Sequence, residues 1–282
     1  MLLIADSGST KTDWVLIDSA QNRYSYSTIG YNPYFIGAEK IQQSLMQELL
    51  TKLDASQVRK VFFYGAGCST NEKKEVLHAA LANCFVNAEI AINHDLLAAS
   101  LALLGNKRGF AAILGTGSNT CIFDGVKIEK NIDSLGYLLG DEGSGCSIGK
   151  KILRDFMRGS LPQELEEKFR KEYPFTQTEI FESMYNKPLP NRFLAGFCRF
   201  AAEHKNQVQI KTIVLESFND FFLNLVSRYP DYVKLSFNCV GSVGYNFKDH
   251  LSEVAGVFGM KMGKVTASPI EDLVSYHLKN LH

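Results

Sequence analysis

The chain opens on an apolar run, Leu2 to Ala5, that stops at Asp6 and resumes at Trp14 to Ile17. Between them lies the polar stretch Ser7-Gly8-Ser9-Thr10-Lys11-Thr12-Asp13. Two apolar strands around a turn of Gly, Ser and Thr read as a β-hairpin. The same design returns about a hundred residues on, as Phe110 to Leu114, Gly115-Thr116-Gly117-Ser118-Asn119, and Thr120 to Phe123. Arg23 to Thr28 alternates in polarity and predicts a third strand. Ile41, Leu45, Leu49 and Leu53 recur at helical spacing over about 37–53. A buried strand over 58–64, a helix over 71–84 and a strand over 88–93 follow. The segment 95–104 is apolar on nearly every side, which predicts a buried helix.

Gly105-Asn106-Lys107-Arg108-Gly109 is polar with glycine at both ends, and is the expected domain boundary and hinge. Beyond the second hairpin the pattern predicts a strand over 127–131 and a helix over 147–157. A mostly helical stretch over 160–228 is punctuated by Pro162, Pro174, Pro188 and Pro190. A strand over 234–240, a helix over 245–258, a short strand within 259–266 and a terminal helix after Pro269 complete the chain. The chain is therefore read as α/β, in two units that each open with a hairpin meander. Domains over 1–106 and 107–282 are expected, with a helical insertion at about 160–228 in the second. The terminal helix, 268–281, is given the option of packing back on the first. No G-x-G-x-x-G joins a strand to a helix and no G-x-x-x-x-G-K-[ST] occurs, so neither a Rossmann nor a P-loop site is indicated.

Composition narrows the chemistry. Over 282 residues, 30 Lys and Arg balance 30 Asp and Glu, so no polybasic surface for nucleic acid or membrane is indicated. Any anion site must come from local geometry. Cys68, Cys84, Cys121, Cys146, Cys198 and Cys239 form no C-x-x-C pair, and six reduced, mostly buried thiols are expected. His78, His94, His204, His250 and His277 show no metal-ligand spacing and read as surface or satisfied core residues. The opening apolar run is too short for a signal peptide, and Leu96 to Leu104 is too short to span a bilayer, so a cytoplasmic protein is expected.

A Gly/Ser/Thr turn aims backbone N–H groups and hydroxyls at one point, where an anion fits. Two such turns point to a polyphosphate. Four further segments carry candidate chemistry, each with a plainer alternative. Asp95, at the start of the apolar helix, is a carboxylate favoured by the helix N-terminus, or else Asp95 or Asn93 is only its cap. Gly140-Asp141-Glu142-Gly143-Ser144 puts two carboxylates between glycines, or is a capping loop with Ser144 or Ser147 as the cap. Gly30-Tyr31-Asn32-Pro33 is a polar contact loop or a simple turn. Gly241-Ser242-Val243-Gly244, after a strand, lets a flat base approach backbone or serves close helix–strand packing.

Asp6-Ser-Gly-Ser-Thr-Lys-Thr, Leu114-Gly-Thr-Gly-Ser-Asn, Gly140-Asp-Glu-Gly-Ser and Val240-Gly-Ser-Val-Gly stand in the order found in the actin/hexokinase/Hsp70 superfamily. Within it the chain resembles the BadF/BadG/BcrA/BcrD-type branch that contains the N-acetylglucosamine kinases. The resemblance covers nearly the whole chain except the helical middle. It implies two ribonuclease-H-like (actin-like ATPase) domains with a cleft between them, and an ATP- and Mg²⁺-dependent kinase acting on an amino sugar. N-acetylglucosamine comes first, with glucosamine or N-acetylmuramic acid as alternatives. It implies that Gly8, Ser9, Thr10, Lys11 and Thr12 meet the β- and γ-phosphates, with Asp6 facing the metal through water. Gly115, Thr116 and Gly117 would meet the phosphates too, and Gly241 and Ser242 the adenosine, with Asn246 a possible neighbour of the base. Asn32, Ser118, Asn119 and Asp141 would hold the sugar, Asp95 would take the proton of the attacking hydroxyl, and Glu142 would support the loop or the metal shell. A homodimer is expected, with 160–228 offering a surface for it. Two other readings stand beside this one. The first is the ATPase that activates 2-hydroxyacyl-CoA dehydratases, which needs cysteines holding an iron–sulfur cluster between subunits. The second is a non-catalytic nucleotide- or sugar-binding regulator.

Overall fold

A computed structural model describes residues 1–280, in two compact units. One comprises Met1–Asn106 with the C-terminal segment from Ser268, and the other Lys107–Ala267. The first unit holds β1 (Leu2–Ser7), β2 (Lys11–Ile17), β3 (Arg23–Ile29), β4 (Lys60–Gly65) and β5 (Glu89–His94). They form one sheet in the order β3-β2-β1-β4-β5. β1 runs antiparallel to β2 and parallel to β4, so the hairpin stands in the middle of the sheet.

Alternation along β1 and β2 decides which side chains go where. Leu3 pairs with Leu16 and Ala5 with Trp14, so these four share a face. They pack with Phe63, Leu77 and Leu81 in one core. Trp14 and Phe63 meet at 5.8 Å between ring centroids, and the Trp14 indole N–H donates to Thr28 Oγ1 at 3.0 Å. Each such fully buried large side chain contributes roughly 1.5–3 kcal/mol. The helix expected over 37–53 is shorter: Ala38–Ser44 is α-helical, and the chain then widens into a π turn, Leu45–Leu49. The helix Asp95–Leu104 is where its apolar surface predicts, with seven of its residues buried. The terminal helix is Ile270–Asn280; residue 281 of the expected span lies outside the described residues. It joins the first unit through Tyr64, whose hydroxyl lies 2.9 Å from His277 Nε2, and through Phe62, stacked on the same ring.

The second unit repeats the topology with β6 (Gly109–Leu114), β7 (Ser118–Phe123), β8 (Ile128–Ile132), β9 (Ser236–Val240) and β10 (Lys261–Thr266) in the order β10-β9-β6-β7-β8. Between β8 and β9 lies the helical insertion, from Gly145–Met157 to Val208–Asn224. An aromatic group of Phe156, Phe169, Phe197 and Phe200 fills its core. The helix expected over 245–258 is two: Ser242–Asn246 begins earlier and breaks at Phe247, and Lys248–Val257 follows. All six cysteines are buried thiols outside any disulfide. Among the described residues no helix is long and apolar enough to cross a membrane.

Candidate functional site

In the first unit the turn between β1 and β2 is closed by Gly8 N–H donating to Lys11 O at 2.9 Å. The loop after β3 braces it: Gly30 N–H donates to Thr10 O at 3.0 Å and Tyr31 N–H to Ser7 Oγ at 3.0 Å. Asn32 is buried beneath it, with Nδ2 3.5 Å from Ser9 Oγ and Oδ1 accepting from Tyr34 N–H. The turn and Asn32 thus form one group. No described hydrogen bond engages the Ser9 or Thr10 N–H, so these amides can meet an anion. Thr12 departs from the phosphate contact expected of it. It is fully buried, and its hydroxyl donates to Ile29 O at 2.9 Å while accepting from Ser7 Oγ at 2.7 Å. That hydroxyl ties β2 to the end of β3 and has no path outward. Lys11 is exposed and paired with Asp13 at 2.8 Å.

Asp6 lies across from Asp13 on the sheet, on the face opposite Ala5 and Trp14. Burial, then the charges of Asp95 and Asp13, push its carboxyl up to about 7 against the pull of Lys11. Asp95 begins the helix after β5. The cap of that helix is neither Asn93 nor Asp95 but His94, whose Nδ1 accepts from Leu96 N–H at 3.1 Å. Asp95 Oδ1 is buried beside His94 Nδ1, 2.9 Å away, and receives no hydrogen while that nitrogen is unprotonated and accepts from Leu96 N–H. A buried acceptor without a hydrogen is costly and calls for an explanation.

In the second unit the hairpin turn is locked to the helix Gly145–Met157: Gly145 N–H donates to Gly115 O at 2.8 Å and Cys146 N–H to Thr116 O at 3.1 Å. Ser144 caps this helix, accepting from Ser147 N–H. Asp141 is buried in a left-handed conformation, φ 54°, that a non-glycine residue adopts at a cost. Ser134 O accepts its N–H at 2.9 Å, and its Oδ1 accepts the Ser118 N–H at 3.0 Å. A Cβ on Gly117 would stand 2.9 Å from that carboxylate, so only glycine admits it so close. Burial raises the pKa of Asp141, against the opposing Ser118 N–H. Beside it Ser118 Oγ is buried and unpartnered. Asn119 Oδ1 accepts from Thr120 N–H and Asn131 Nδ2, leaving its amide N–H₂ to offer a ligand. Glu142 Oε1 accepts from Asn224 Nδ2 at 3.1 Å, which ties the loop to the helix Val208–Asn224.

A cavity of about 560 Å³ opens beside this hairpin, within the range of small-molecule sites. Thr116, Gly145, Ser242 and Asn246 line one side of it, and Tyr173 and Arg199 of the helical insertion another. Gly241 carries φ 126°, and a Cβ there would overlap the Leu114 carbonyl, so this glycine lets the start of Ser242–Asn246 press against the hairpin. Tyr173 and Arg199 carried no motif in the sequence. His94 had one legible signal, an imidazole where helices prefer Asn, Asp, Ser or Thr.

The two sheets and their hairpins define an actin-like ATPase fold, which solved structures share. A Porphyromonas gingivalis protein provisionally designated N-acetylglucosamine kinase is 41% identical, with 100% of each chain covered and a TM-score of 0.94. The chain belongs to the family of that protein. A Chromobacterium violaceum protein with the same provisional designation is 14% identical over 98% of each chain, with a TM-score of 0.75. Component A of the (R)-2-hydroxyglutaryl-CoA dehydratase of Acidaminococcus fermentans is 11% identical over 99% of this chain and 96% of its own, with a TM-score of 0.51. At such identities the last two show the fold alone. No family model matches the chain, and no curated protein does.

Proposed function

We propose that the protein is an ATP-dependent kinase that phosphorylates a hydroxyl of an amino sugar, with N-acetylglucosamine as first candidate and glucosamine or N-acetylmuramic acid as alternatives. The full-length likeness to the Porphyromonas protein supports the class. The observation that carries the reading is the buried, unpartnered Ser118 Oγ, together with the buried Asp95 Oδ1, which receives no hydrogen while His94 Nδ1 beside it is unprotonated. A carboxylate held without a donor suits a group that takes a proton, and a hydroxyl held without a partner suits one that meets a substrate hydroxyl. In this reading Asp95 deprotonates the acceptor, and Asn32, Ser118, Asn119 and Asp141 orient the sugar. Ser9, Thr10 and the Gly115–Gly117 turn receive the phosphates, with Gly8 shaping the first turn and Lys11 adding charge nearby. Gly241 and Ser242 border the adenosine pocket with Asn246, Tyr173 and Arg199. The family is then assigned to the BadF/BadG/BcrA/BcrD-type branch.

Mg²⁺ fits the donors present. Asp6 is a carboxylate crowded by two others, and a cation relieves that crowding. Among the described residues no group of three or more His, Cys, Asp or Glu forms a closed cage. One carboxylate, water and phosphates are what Mg²⁺ commonly takes. Bound there, it would neutralise charge on the transferring phosphoryl group. The dehydratase-activator reading needs thiols presented to a partner subunit, and all six here are buried. A cytoplasmic homodimer, with exposed Phe181 and Tyr185 of the insertion at its surface, belongs to the same proposal.

A coupled ADP-release assay over a panel of hexoses and amino sugars tests the reading, with Asp95→Asn as control. We expect ADP release to depend on an amino sugar, and Asp95→Asn to lower kcat by roughly 10²–10⁴-fold. An Asp95→Asn enzyme as fast as the wild type would remove Asp95 from the mechanism.

A further inference from the structure

The contact between His94 and Asp95 holds a chemical ambiguity. His94 Nδ1 lies 2.9 Å from Asp95 Oδ1 and 3.1 Å from the Leu96 N–H. One nitrogen cannot serve both neighbours in the same protonation state. Unprotonated, Nδ1 accepts from Leu96 and turns its lone pair toward a carboxylate oxygen, and Oδ1 is then left without a hydrogen. Protonated, Nδ1 donates to Oδ1 and gives up the cap. A proton on the carboxyl group lets Oδ1–H donate to the Nδ1 lone pair in exchange for the Leu96 contact. The two side chains are a matched receiver pair for a single proton.

We propose that His94 is the proton outlet of Asp95: it takes from the carboxyl group the proton removed from the acceptor hydroxyl and delivers it to water. This rests on the kinase reading above. Transfer of a phosphoryl group to an alcohol forms the acceptor O–P bond and breaks the bond from the γ-phosphorus to the bridging oxygen, whose electron pair leaves with ADP. The acceptor O–H also breaks, so each turnover leaves one proton that must depart before the next. Asp95 receives it. Turning about its Cβ–Cγ bond, the carboxyl group presents it to Nδ1. The imidazolium then releases a proton to solvent, for which the 25% exposure of the His94 side chain gives a route.

The groups around the pair suit this. Asp6, on β1, adds negative charge beside Asp95. The Cys68 thiol is held neutral near Asp95, pushed up to about 12 chiefly by burial. Lys74, on the helix Asn71–Cys84, opposes protonation of His94. Burial also disfavours the imidazolium, but the hydrogen bond and charge of Asp95 outweigh both, and the net pKa of His94 is raised. Capping alone does not call for an imidazole, because Asn, Asp or Ser caps a helix better.

His94→Asn separates the two roles, since Asn Oδ1 can still accept the Leu96 N–H but cannot carry a proton. We expect kcat to fall about tenfold to a hundredfold with KM for both substrates unchanged, and the acid limb of its pH profile to move. Added imidazole should restore rate in proportion to its neutral form. Wild-type kcat with an unmoved pH profile would overturn the proposal, as would a loss of rate that imidazole leaves untouched. NMR titration of the His94 ring gives a second readout that needs no turnover: its pKa should drop in Asp95→Asn, and an unchanged value would overturn the shared proton. A wild type inactive toward every amino sugar refutes the kinase reading instead, and the titration still decides whether the pair is coupled.

Discussion

Single atoms carry the sharpest expectations. Ser118 Oγ is buried with nothing to bond, so the free protein bears its desolvation without return. Ser118→Ala should therefore leave the melting temperature unchanged or slightly higher, while KM for the sugar rises roughly tenfold as one hydrogen bond is lost. A variant that melts earlier with KM unmoved would show the hydroxyl to be structural. His277 gives a pH expectation. Burial depresses it from 6.5 to about 4 in the folded state. Between those values the unfolded chain binds more protons than the folded one, so stability is complete above about 6.5 and falls as pH drops toward 4. His277→Gln keeps a hydrogen-bonding group near Tyr64 and cannot titrate. Urea unfolding at a series of pH values should show its slope over this window flatter than that of the wild type, and an equal slope would contradict the assignment.

At the level of elements, the hairpin β6–β7 and the loop before Gly145–Met157 act as one piece, because Gly117 leaves room for the Asp141 carboxylate. Gly117→Ala should raise KM for the sugar more than KM for ATP, since the added Cβ pushes on Asp141 and leaves the Thr116–Ser242 side of the cavity alone. Equal changes in both would mean that the whole turn had shifted. Much of this organisation was legible in the sequence. The helices Asn71–Cys84 and Asp95–Leu104 sit at their predicted limits, because a Thr70 cap and an apolar face are local signals. The ten strands followed from apolar runs, alternating polarity and turn residues. What the sequence concealed was decided by contacts distant along the chain. Thr12 looks like Ser9 and Thr10 in the string, yet alternation along β2 turns it inward to Ile29. The break at Phe247 has no proline or glycine beside it, and Tyr173 and Arg199 reach the cavity only through packing of the insertion. The exchangeable place of a proton between His94 and Asp95 is a matter of ångströms that spacing does not encode.

Across the whole molecule, the formal charge is zero, so recognition of an anionic nucleotide would fall to local N–H groups rather than to a long-range field. Each unit repeats the same order of strands around a glycine-rich hairpin, and only the second carries the helical insertion that walls the cavity. Likeness in fold alone extends to proteins as different as a dehydratase component, so fold cannot choose the chemistry. The 41% identity over the full chain supports the kinase class, and the buried, unpartnered Ser118 Oγ suits a substrate hydroxyl. The central claim is that phosphoryl transfer from ATP ends on a sugar hydroxyl through Asp95. The measurement closest to it is product analysis by phosphorus NMR after incubation with ATP, Mg²⁺ and N-acetylglucosamine or a related amino sugar. The account predicts one sugar phosphate for every ADP from the wild type, and almost none from Asp95→Asn. ADP accompanied only by inorganic phosphate, or a sugar phosphate formed equally fast by both proteins, would contradict it.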